Sequence, residues 1–423
     1  MNVAFYTILV TPLKTNETYG DQVDITDYVI ARKFNKIKQS VDSGSYDIGI
    51  YTYADLSLTV ANYDGRFNDE TESSSMFYFT RDRAKIQVKY TNEAGTESVI
   101  YNGLINDEAT LQDFEKDTVK FRILSQDSIF RKVKVIGGLI NDGVTFSAAI
   151  KSVLNRPAIT AILGYDAGKV SVGYDGIIDD STPFSQKDSR TVLELLLNAS
   201  GSVFYIDDAG DMVVSDRTVG SSGAAVYASL TDEAGAVLTD EAGATLQSLE
   251  SVGGSNLELY GAGDPYQRDN IAKINNYNNG LQRTFNTITV NEQTSTDETF
   301  VDRYGIGLKS YTFDFITSTA TATAIADYYL EQFKVPKAEL KVYVKTDIST
   351  GVNILDPVTI DYRKRHKPFN GSKIPLAGSS VAGSEKSPYV IGGIKIAPNR
   401  IWKVIGIEYD TKTFLTALRL RES

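Results

Sequence analysis

The chain has 423 residues, a length that suggests roughly two to four domains, each burying its own apolar surface. Hydrophobic residues make up 42% and charged residues 23%, which excludes a disordered or collagen-like chain. The net charge of −11 argues against a protein that grips nucleic-acid phosphates, because that task needs clustered Lys and Arg.

The sequence contains no Cys and a single His, His366. Thiol nucleophiles, Fe–S clusters, His-rich zinc sites and Ser–His triads are therefore nearly all excluded. The abundance of Tyr, Phe, Thr, Val and Ile favours β-structure, because branched and aromatic side chains fit a pleated surface. We expect a non-enzymatic, mainly β protein with no catalytic, cofactor-binding or metal-binding residues.

Residues 1–133 start without a basic leader and with an apolar run far shorter than the ~20 residues of a membrane span, so we expect a first strand and no membrane insertion by this chain. Apolar residues then alternate with polar ones, as in Leu56, Leu58 and Val60. Turn signals rich in Asn, Asp and Gly separate these runs. The segment is predicted to form an antiparallel sheet, closed into a barrel or sandwich.

Residues 134–217 are predicted to form a small α+β domain. A first helix is expected over 145–154 with Thr145 as N-cap, and a second over 189–200. Two hydrophobic runs in 203–214 indicate a hairpin.

Residues 218–285 form an irregular connector that contains an eight-residue near-duplication over 230–245. Two copies are too few for a solenoid. Residues 286–423 are predicted to form a second barrel or sandwich, with a helix over 319–333 and a long loop over 369–399.

Three patterns occur in order along the chain and cover most of it. They are the strand and turn residues of 55–69, 83–88 and 100–105; the helix 189–200 with the hairpin 203–214; and the helix 319–333 with the strands 340–345, 354–360 and 402–420. Together they resemble the tail hub proteins of tailed phages, the family of contractile-tail baseplate hubs and long-tail tip hubs.

The resemblance implies a mainly β fold with an α+β insert, in which two tail-tube-like β-barrel domains accompany a smaller α+β domain. It implies a structural virion protein, a tail hub at the distal end that caps the tail tube, forms a channel for genome passage and docks other tail-tip or fibre proteins. A homotrimer would then present six barrels to a hexameric tail tube. The chain carries no lysozyme-like or peptidase segment, so wall cutting would belong to another protein.

The partners implied by the resemblance are further copies of the chain, the distal tail or tail tube protein, the tape measure protein, and tail fibre or tip proteins. DNA would pass transiently without specific binding, since an acidic wall does not retain it. The implied location is the phage tail in the virion, assembled in the host cytoplasm.

Two acidic clusters invite a calcium interpretation, because hard cations favour carboxylates. Neither has the length or the Glu of an EF-hand loop, so we favour turns over metal at both. The clusters are Asp207, Asp208 and Asp211, and Asn62, Asp64, Asn68 and Asp69.

The basic run 363–367, which includes His366, is interpreted as a solvated strand end, against the alternative of contact with DNA or an acidic subunit. Several aromatic groups are interpreted as core or interface residues, against the alternative of sugar-stacking platforms. They are Tyr51 and Tyr53, Phe77, Tyr78 and Phe79, Tyr328 and Tyr329, and Trp402, which is expected in the core.

Two other functions stay open on the sequence alone. A tail-associated glycan depolymerase would need two suitably spaced carboxylates, and no pair stands out among the 54 acidic residues. A host-surface adhesin is supported solely by the Tyr-rich faces.

Overall fold

The computed structural model describes residues 5–13, 19–31, 36–41, 48–53, 55–65, 67, 83–91, 95, 97–113, 115–207, 210–217, 226–229, 247–251, 257–260, 271–278, 280–344, 352–363, 374–375, 381–382, 395–396, 401–410 and 415–422. The duplicated segment 230–245, the residues Phe77, Tyr78, Phe79 and His366, and most of the loop 369–399 lie outside these ranges. Within them, no helix is long and apolar enough to cross a membrane.

The strands, in chain order, are β1 (Phe5–Thr11), β2 (Val23–Asp24), β3 (Val29–Ala31), β4 (Lys36–Val41), β5 (Gly49–Tyr53), β6 (Leu56–Ala61), β7 (Lys85–Thr91), β8 (Glu97–Asp113), β9 (Thr118–Ser125), β10 (Gly164–Val170), β11 (Ser202–Ile206), β12 (Asp211–Asp216), β13 (Val226–Ser229), β14 (Gln247–Ser251), β15 (Leu257–Tyr260), β16 (Ile271–Asn278), β17 (Thr287–Val290), β18 (Gln293–Thr296), β19 (Leu308–Tyr311), β20 (Glu339–Val344), β21 (Pro357–Arg363), β22 (Ile374–Pro375), β23 (Val381–Ala382), β24 (Lys395–Ile396), β25 (Ile401–Asp410) and β26 (Leu415–Glu422).

The α-helices are α1 (Ile129–Lys132), α2 (Phe146–Leu154), α3 (Pro157–Thr160), α4 (Ser189–Ser200), α5 (Glu298–Tyr304) and α6 (Thr319–Phe333). Short 3₁₀ turns lie at Thr26–Tyr28, Gln126–Ser128, Thr182–Phe184 and Leu281–Arg283. The protein is mainly β with some helices, as predicted.

Sheet one consists of seven antiparallel strands in the order β2-β1-β7-β8-β9-β6-β3. Its two end strands, β2 and β3, are separated along the chain by just the turn at residues 25–28, so the sheet curls around its own core. The alternation seen in the sequence sets which face is buried: Leu56, Leu58 and Val60 point inward and the residues between them do not.

Sheet two follows the order β10-β12-β11-β5-β4-β25-β26-β20-β16, with β21 beside β25, and β15 and β24 beside β21. Its core contains Trp402, Val404 and Leu418, all fully buried. The strands β4 and β5 come from the segment 1–133 but pair here, with β25 and β11 respectively. The segment 1–133 therefore contributes two strands to sheet two, and the order of segments along the chain does not describe the pairing.

The three helices predicted from the sequence are present, and each has a polar N-cap. The side chains of Thr145, Asp188 and Ser318 accept hydrogen bonds from backbone amides in the first turns of α2, α4 and α6. α4 ends at Gly201, whose φ of 64° is the left-handed conformation that closes many helices. The predicted hairpin follows directly as β11 and β12.

Residues 126–217, which we call the middle unit, share one apolar core with the segment 280–338, which we call the insertion. The insertion connects β16 to β20 and contains a three-stranded sheet in the order β18-β17-β19, with α6 packed against it. Leu196 of α4 and Ile325 of α6 are both fully buried in this shared core. The middle unit therefore lies against both sheets and the insertion.

Candidate functional site

Five strands of sheet one have the same neighbour order and antiparallel pairing as five strands of sheet two. The order β3-β6-β9-β8-β7 corresponds to β16-β20-β26-β25-β21. The register also agrees, because Leu104 lies opposite Leu124 at the position where Lys403 lies opposite Arg421. The chain thus contains one five-stranded module twice.

Both copies of the module have a register irregularity at the same place, between β3 and β6 in sheet one and between β16 and β20 in sheet two. A bulge of this kind bends a strand and increases its twist, so it shapes the curl of a sheet. The flanking pairs are Val29 with Val60 and Ala31 with Thr59 in sheet one, and Ile271 with Val344 and Lys273 with Tyr343 in sheet two.

In both copies a residue in the left-handed conformation lies just before the fifth strand of this order, which is β7 in sheet one and β21 in sheet two. Arg83 has φ 70° before β7, and Leu355 has φ 71° before β21. The Arg83 amide donates to the Ile105 carbonyl at 3.0 Å, and the Ile105 amide donates back to the next carbonyl at 2.9 Å. Leu355 and Val404 form the same pair of bonds at 2.8 and 3.1 Å. Non-glycine residues rarely adopt this conformation, so its repetition is a specific feature of the module.

An ion pair occupies the same position in both copies. Arg122 Nη2 lies 2.9 Å from Asp55 Oδ2 in sheet one, and Arg419 Nη2 lies 3.1 Å from Glu339 Oε2 in sheet two. The second pair is more buried and includes Arg283, whose Nη1 lies 2.6 Å from Glu339 Oε1. The two ion pairs therefore match between the copies in sign and in position.

Sheet one and sheet two meet at the C-terminal end of β25. There β4 adds to β25 with Glu408 opposite Lys38. Tyr409 of β25 reaches into the core of sheet one, where the Tyr6 hydroxyl donates to the Tyr409 hydroxyl at 3.2 Å and the Tyr90 ring lies 5.7 Å from the Tyr409 ring. Burial raises the pKa of Tyr409, and the hydrogen bond to Tyr6 raises it further.

Sheet one contacts the middle unit through an apolar residue, Leu104 of β8, which belongs to the core of the middle unit. The middle unit also contains a buried ion pair of its own. Arg190 Nη1 of α4 lies 2.6 Å from Asp127 Oδ2, and Arg190 Nε lies 2.8 Å from Glu194 Oε1. Burial raises the pKa of Asp127, and the guanidinium of Arg190 opposes that rise.

At the equivalent position of sheet two the contact with the middle unit is charged. Lys403 occupies the position of Leu104, and its Nζ donates to the Arg217 carbonyl at 3.4 Å. The Arg217 guanidinium lies 4.4 Å from the centre of the Phe333 ring of the insertion. Arg421, opposite Lys403, is also buried.

The cations of this contact shift one another's protonation. Burial, together with the smaller effect of the Lys337 charge, lowers the pKa of Lys403 to about 7. Burial likewise lowers the pKa of Lys337 to about 8, with Arg421 contributing. The contact between sheet two and the middle unit is therefore the part of the described structure in which two lysines change charge near neutral pH.

The acidic cluster around residue 210 is a hairpin turn held by a lysine. Lys169 Nζ lies 2.8 Å from Asp207 Oδ2 and 2.6 Å from Asp211 Oδ2, in the place a cation would take. The Asp211 amide donates to Asp207 Oδ1 at 2.9 Å, which closes the turn. The two carboxylates raise the pKa of Lys169 through these hydrogen bonds. Asp208 lies outside the described residues.

The second acidic cluster also belongs to a turn. The Phe67 amide donates to Asn62 Oδ1 at 2.9 Å, and the Gly65 amide donates to the Asn62 carbonyl at 3.0 Å. Asn68 and Asp69 lie outside the described residues. Over the described ranges, no group of three or more His, Cys, Asp or Glu residues has the spacing to hold a metal ion.

The aromatic groups that can be placed lie in cores and contacts. Tyr51, Tyr329 and Trp402 are buried. Tyr329 stacks on Tyr311 at 4.6 Å, and its hydroxyl donates to the Asn198 carbonyl. The Tyr328 hydroxyl donates to Asp216 Oδ1 at 3.0 Å. These rings pack the protein interior, as the core interpretation predicts.

The basic run is described at Arg363 alone, as the last residue of β21, and residues 364–367 lie outside the described ranges. The charged contact at Lys403 and Arg421 was not predicted from the sequence. A usable signal was present, because Lys403 interrupts the apolar run 401–405, and a charge inside a strand buried on both faces requires a partner.

No protein-family model and no curated protein matches the sequence. Solved structures with similar architecture include a tail protein from Neisseria meningitidis MC58, 11% identical, with 99% of this chain and 96% of that chain covered at a TM-score of 0.49. The 43 kDa tail protein of prophage MuSo2 from Shewanella oneidensis is 11% identical, with 98% and 97% covered at 0.48. A prophage tail protein from Listeria monocytogenes EGD-e is 11% identical, with 98% and 94% covered at 0.44. These are tail proteins, the class that the sequence motifs resemble.

Proposed function

We propose that this chain is a structural subunit of a phage tail, a hub that caps the distal end of the tail tube. The observation that carries the proposal is the repeated five-stranded module, which matches in strand order, register, bulge, left-handed residue and ion pair. One chain contains the same strand framework twice. Three chains in a ring would then present six equivalent modules to a hexameric tube, the arrangement that the sequence resemblance implies.

The internal joints suit a part that carries mechanical load. The strands β4 and β5 come from the segment of sheet one and pair in sheet two, and the middle unit packs against both sheets. These strands tie the two modules together by backbone hydrogen bonds. A tube cap needs such a connection, because its two modules must match two neighbouring sites on one ring.

In this proposal the ring encloses a channel for genome passage and its outer surfaces dock the distal tail or tube protein, the tape measure protein and fibre or tip proteins. The net charge of −11 suits a channel that lets DNA pass without holding it. The protein acts through geometry and interface burial, with no catalytic step. It would be part of the virion after assembly in the host cytoplasm.

The decisive experiment is the mass of the purified full chain by light scattering, measured over a concentration series together with negative-stain class averages. We expect a ring of three subunits with a central hole. A chain that stays monomeric at every concentration would overturn the hub proposal, and binding of that monomer to host cells would favour the adhesin. Release of reducing sugar from host polysaccharide would favour the depolymerase and would likewise overturn the hub proposal.

A further inference from the structure

The repeated module has an edge that is paired on both sides in sheet two and, among the described residues, on one side in sheet one. In sheet two, residues 408–410 of β25 pair with β26 on one side and with β4 on the other. The shared register makes Leu111–Asp113 of β8 the equivalent stretch, since Asp113 lies opposite Thr118 as Asp410 lies opposite Leu415. Among the described residues, β9 pairs with this stretch and no strand pairs with its other side.

The edge in sheet one has a leucine at the position where the paired edge in sheet two has a glutamate. In sheet two Glu408 faces Lys38 of β4. The equivalent residue in sheet one is Leu111, whose exposed fraction is 62%. An exposed strand edge with a large apolar side chain is a pairing site for another chain unless something covers it. The natural complement to Leu111 is an apolar strand rather than a lysine-bearing one.

The origin of β4 indicates what covers the equivalent edge. β4 belongs to the connection between β3 and β6 of sheet one, and it crosses to pair with sheet two. The equivalent connection in sheet two, between β16 and β20, is the insertion 280–338. If the modules repeat around a ring, this insertion crosses to sheet one of the next copy in the same way. Contact between two different surfaces of identical subunits closes into a ring when the rotation permits.

The insertion has the surface that such a contact requires. It contains five of the eleven large hydrophobic residues that are exposed in the described structure: Leu281, Tyr304, Ile306, Leu308 and Val335. Ile306 is 78% exposed and Leu308 is 59% exposed. Leu308 begins β19, which pairs with β17 on one side and, within the described ranges, with no strand on the other.

We propose that copies of this chain join head to tail, with β19 and Ile306 of one copy adding to the Leu111–Asp113 edge of β8 in the next. The inference rests on the proposed function, because it assigns the surface through which the ring forms. Leu308 and Ile306 supply the apolar complement to Leu111. The contact between copies then repeats the contact that β4 makes with β25 inside each chain.

The absence of native Cys makes crosslinking a clean test. The full-length double variant Leu111→Cys/Leu308→Cys is treated with a short bismaleimide under conditions in which the chain is oligomeric. We expect a ladder of covalent oligomers that ends at the ring size, and one dimer band when the two single variants are mixed. The matched control Leu111→Cys/Thr323→Cys, with its second thiol on the exposed face of α6, should give no ladder.

A second measurement does not depend on the orientation of the thiols. Leu308→Asp and Leu111→Asp should each reduce the mass in light scattering from the ring to the monomer, while Thr323→Asp should leave the ring intact. Circular dichroism checks that each variant is folded. A ring that survives both Asp substitutions and gives no 111–308 crosslink would overturn this surface and leave the hub proposal standing. A wild-type chain that forms no ring at any concentration would overturn both.

Discussion

At equivalent places in the two sheets, Leu104 contacts the middle unit through an apolar core and Lys403 contacts it through a cluster of cations. The strand register, bulge and ion pair around these two residues agree, so the backbone of the module does not require either chemistry. The difference shows that one strand arrangement accepts either an apolar or a charged side chain at the position that faces the middle unit. At this position sheet one uses an apolar contact and sheet two uses charges whose protonation depends on pH, while elsewhere β11 of the middle unit pairs with β5 of sheet two.

The largest expected effect on stability concerns one core position at which the two sheets differ. Trp402 is fully buried in sheet two, and its equivalent in sheet one is Gly103. We expect Trp402→Ala to lower the free energy of unfolding by about 3–5 kcal/mol, because it removes a large buried ring and leaves a cavity. Urea unfolding followed by circular dichroism measures the loss.

The matched substitution in sheet one acts in the opposite way, by overpacking. A Cβ added at Gly103 would lie 2.5 Å from Ile123 Cγ2 and 2.6 Å from Tyr101 Cε1. We therefore expect Gly103→Ala to cost about 1–3 kcal/mol. A smaller loss in Trp402→Ala than in Gly103→Ala would show that the Trp402 ring does not fill the core of sheet two in this way.

The second prediction breaks the buried ion pair inside the middle unit. Arg190→Met leaves the buried Asp127 carboxylate without its guanidinium, and removing one member of a buried pair costs about 3–5 kcal/mol. The double variant Arg190→Met/Asp127→Leu should recover most of that loss, since both charges are then absent. A double variant as unstable as the single one would mean that the unpaired Asp127 carboxylate does not cause the loss.

The same variant has a signed pH dependence. Burial raises the folded-state pKa of Asp127 above its ordinary value of 3.8. Between the unfolded and folded pKa values the folded state binds more protons, so the stability contributed by this group rises as pH falls. Without Arg190 to oppose the shift, the window widens. The deficit of Arg190→Met relative to wild type should therefore shrink as the pH is lowered from 7.

The third prediction concerns the charged contact of sheet two. Lys403 has a folded-state pKa of about 7 against an ordinary value of 10.5, so between these values the unfolded state binds more protons. Stability should then rise with pH from about 7 to about 10, by up to about 1.4 kcal/mol per pH unit for each proton that differs. Lys337, at about 8, contributes in the same direction over a narrower window.

Replacing Lys403 by leucine, the residue at the equivalent position of sheet one, tests whether Lys403 causes this pH dependence. Lys403→Leu should increase stability at pH 7 by about 1–3 kcal/mol and flatten the rise between pH 7 and pH 10, because a buried charge is removed. The exposed Lys120→Leu serves as a control and should leave the pH profile unchanged. An unaltered profile in Lys403→Leu would place the titrating groups elsewhere.

Local pattern predicted much of this fold. Alternation located the strand of Leu56 and Leu58, and polar caps located the starts of α2 and α4, because these features depend on neighbours within a few residues. The partner of a strand depends on residues far along the chain. Nothing local to Lys36–Val41 indicates that it pairs with β25. The aromatic residues that can be placed lie in cores and contacts, and residues 207–211 form a turn. The repeated module is visible in the strand registers and not in the residues.

The smallest expected effect compares the two copies of the ion pair. Asp55 and Arg122 have side chains 45% and 53% exposed, so Asp55→Asn should cost at most about 0.5 kcal/mol, and less in high salt. Glu339 is 10% exposed and accepts from both Arg283 and Arg419, so Glu339→Gln should cost about 2 kcal/mol with little dependence on salt. Urea unfolding at low and high ionic strength measures both variants. Equal losses would mean that the pair serves the module in both copies alike; the expected inequality would mean that sheet two, which holds the insertion, uses its copy as a structural clamp.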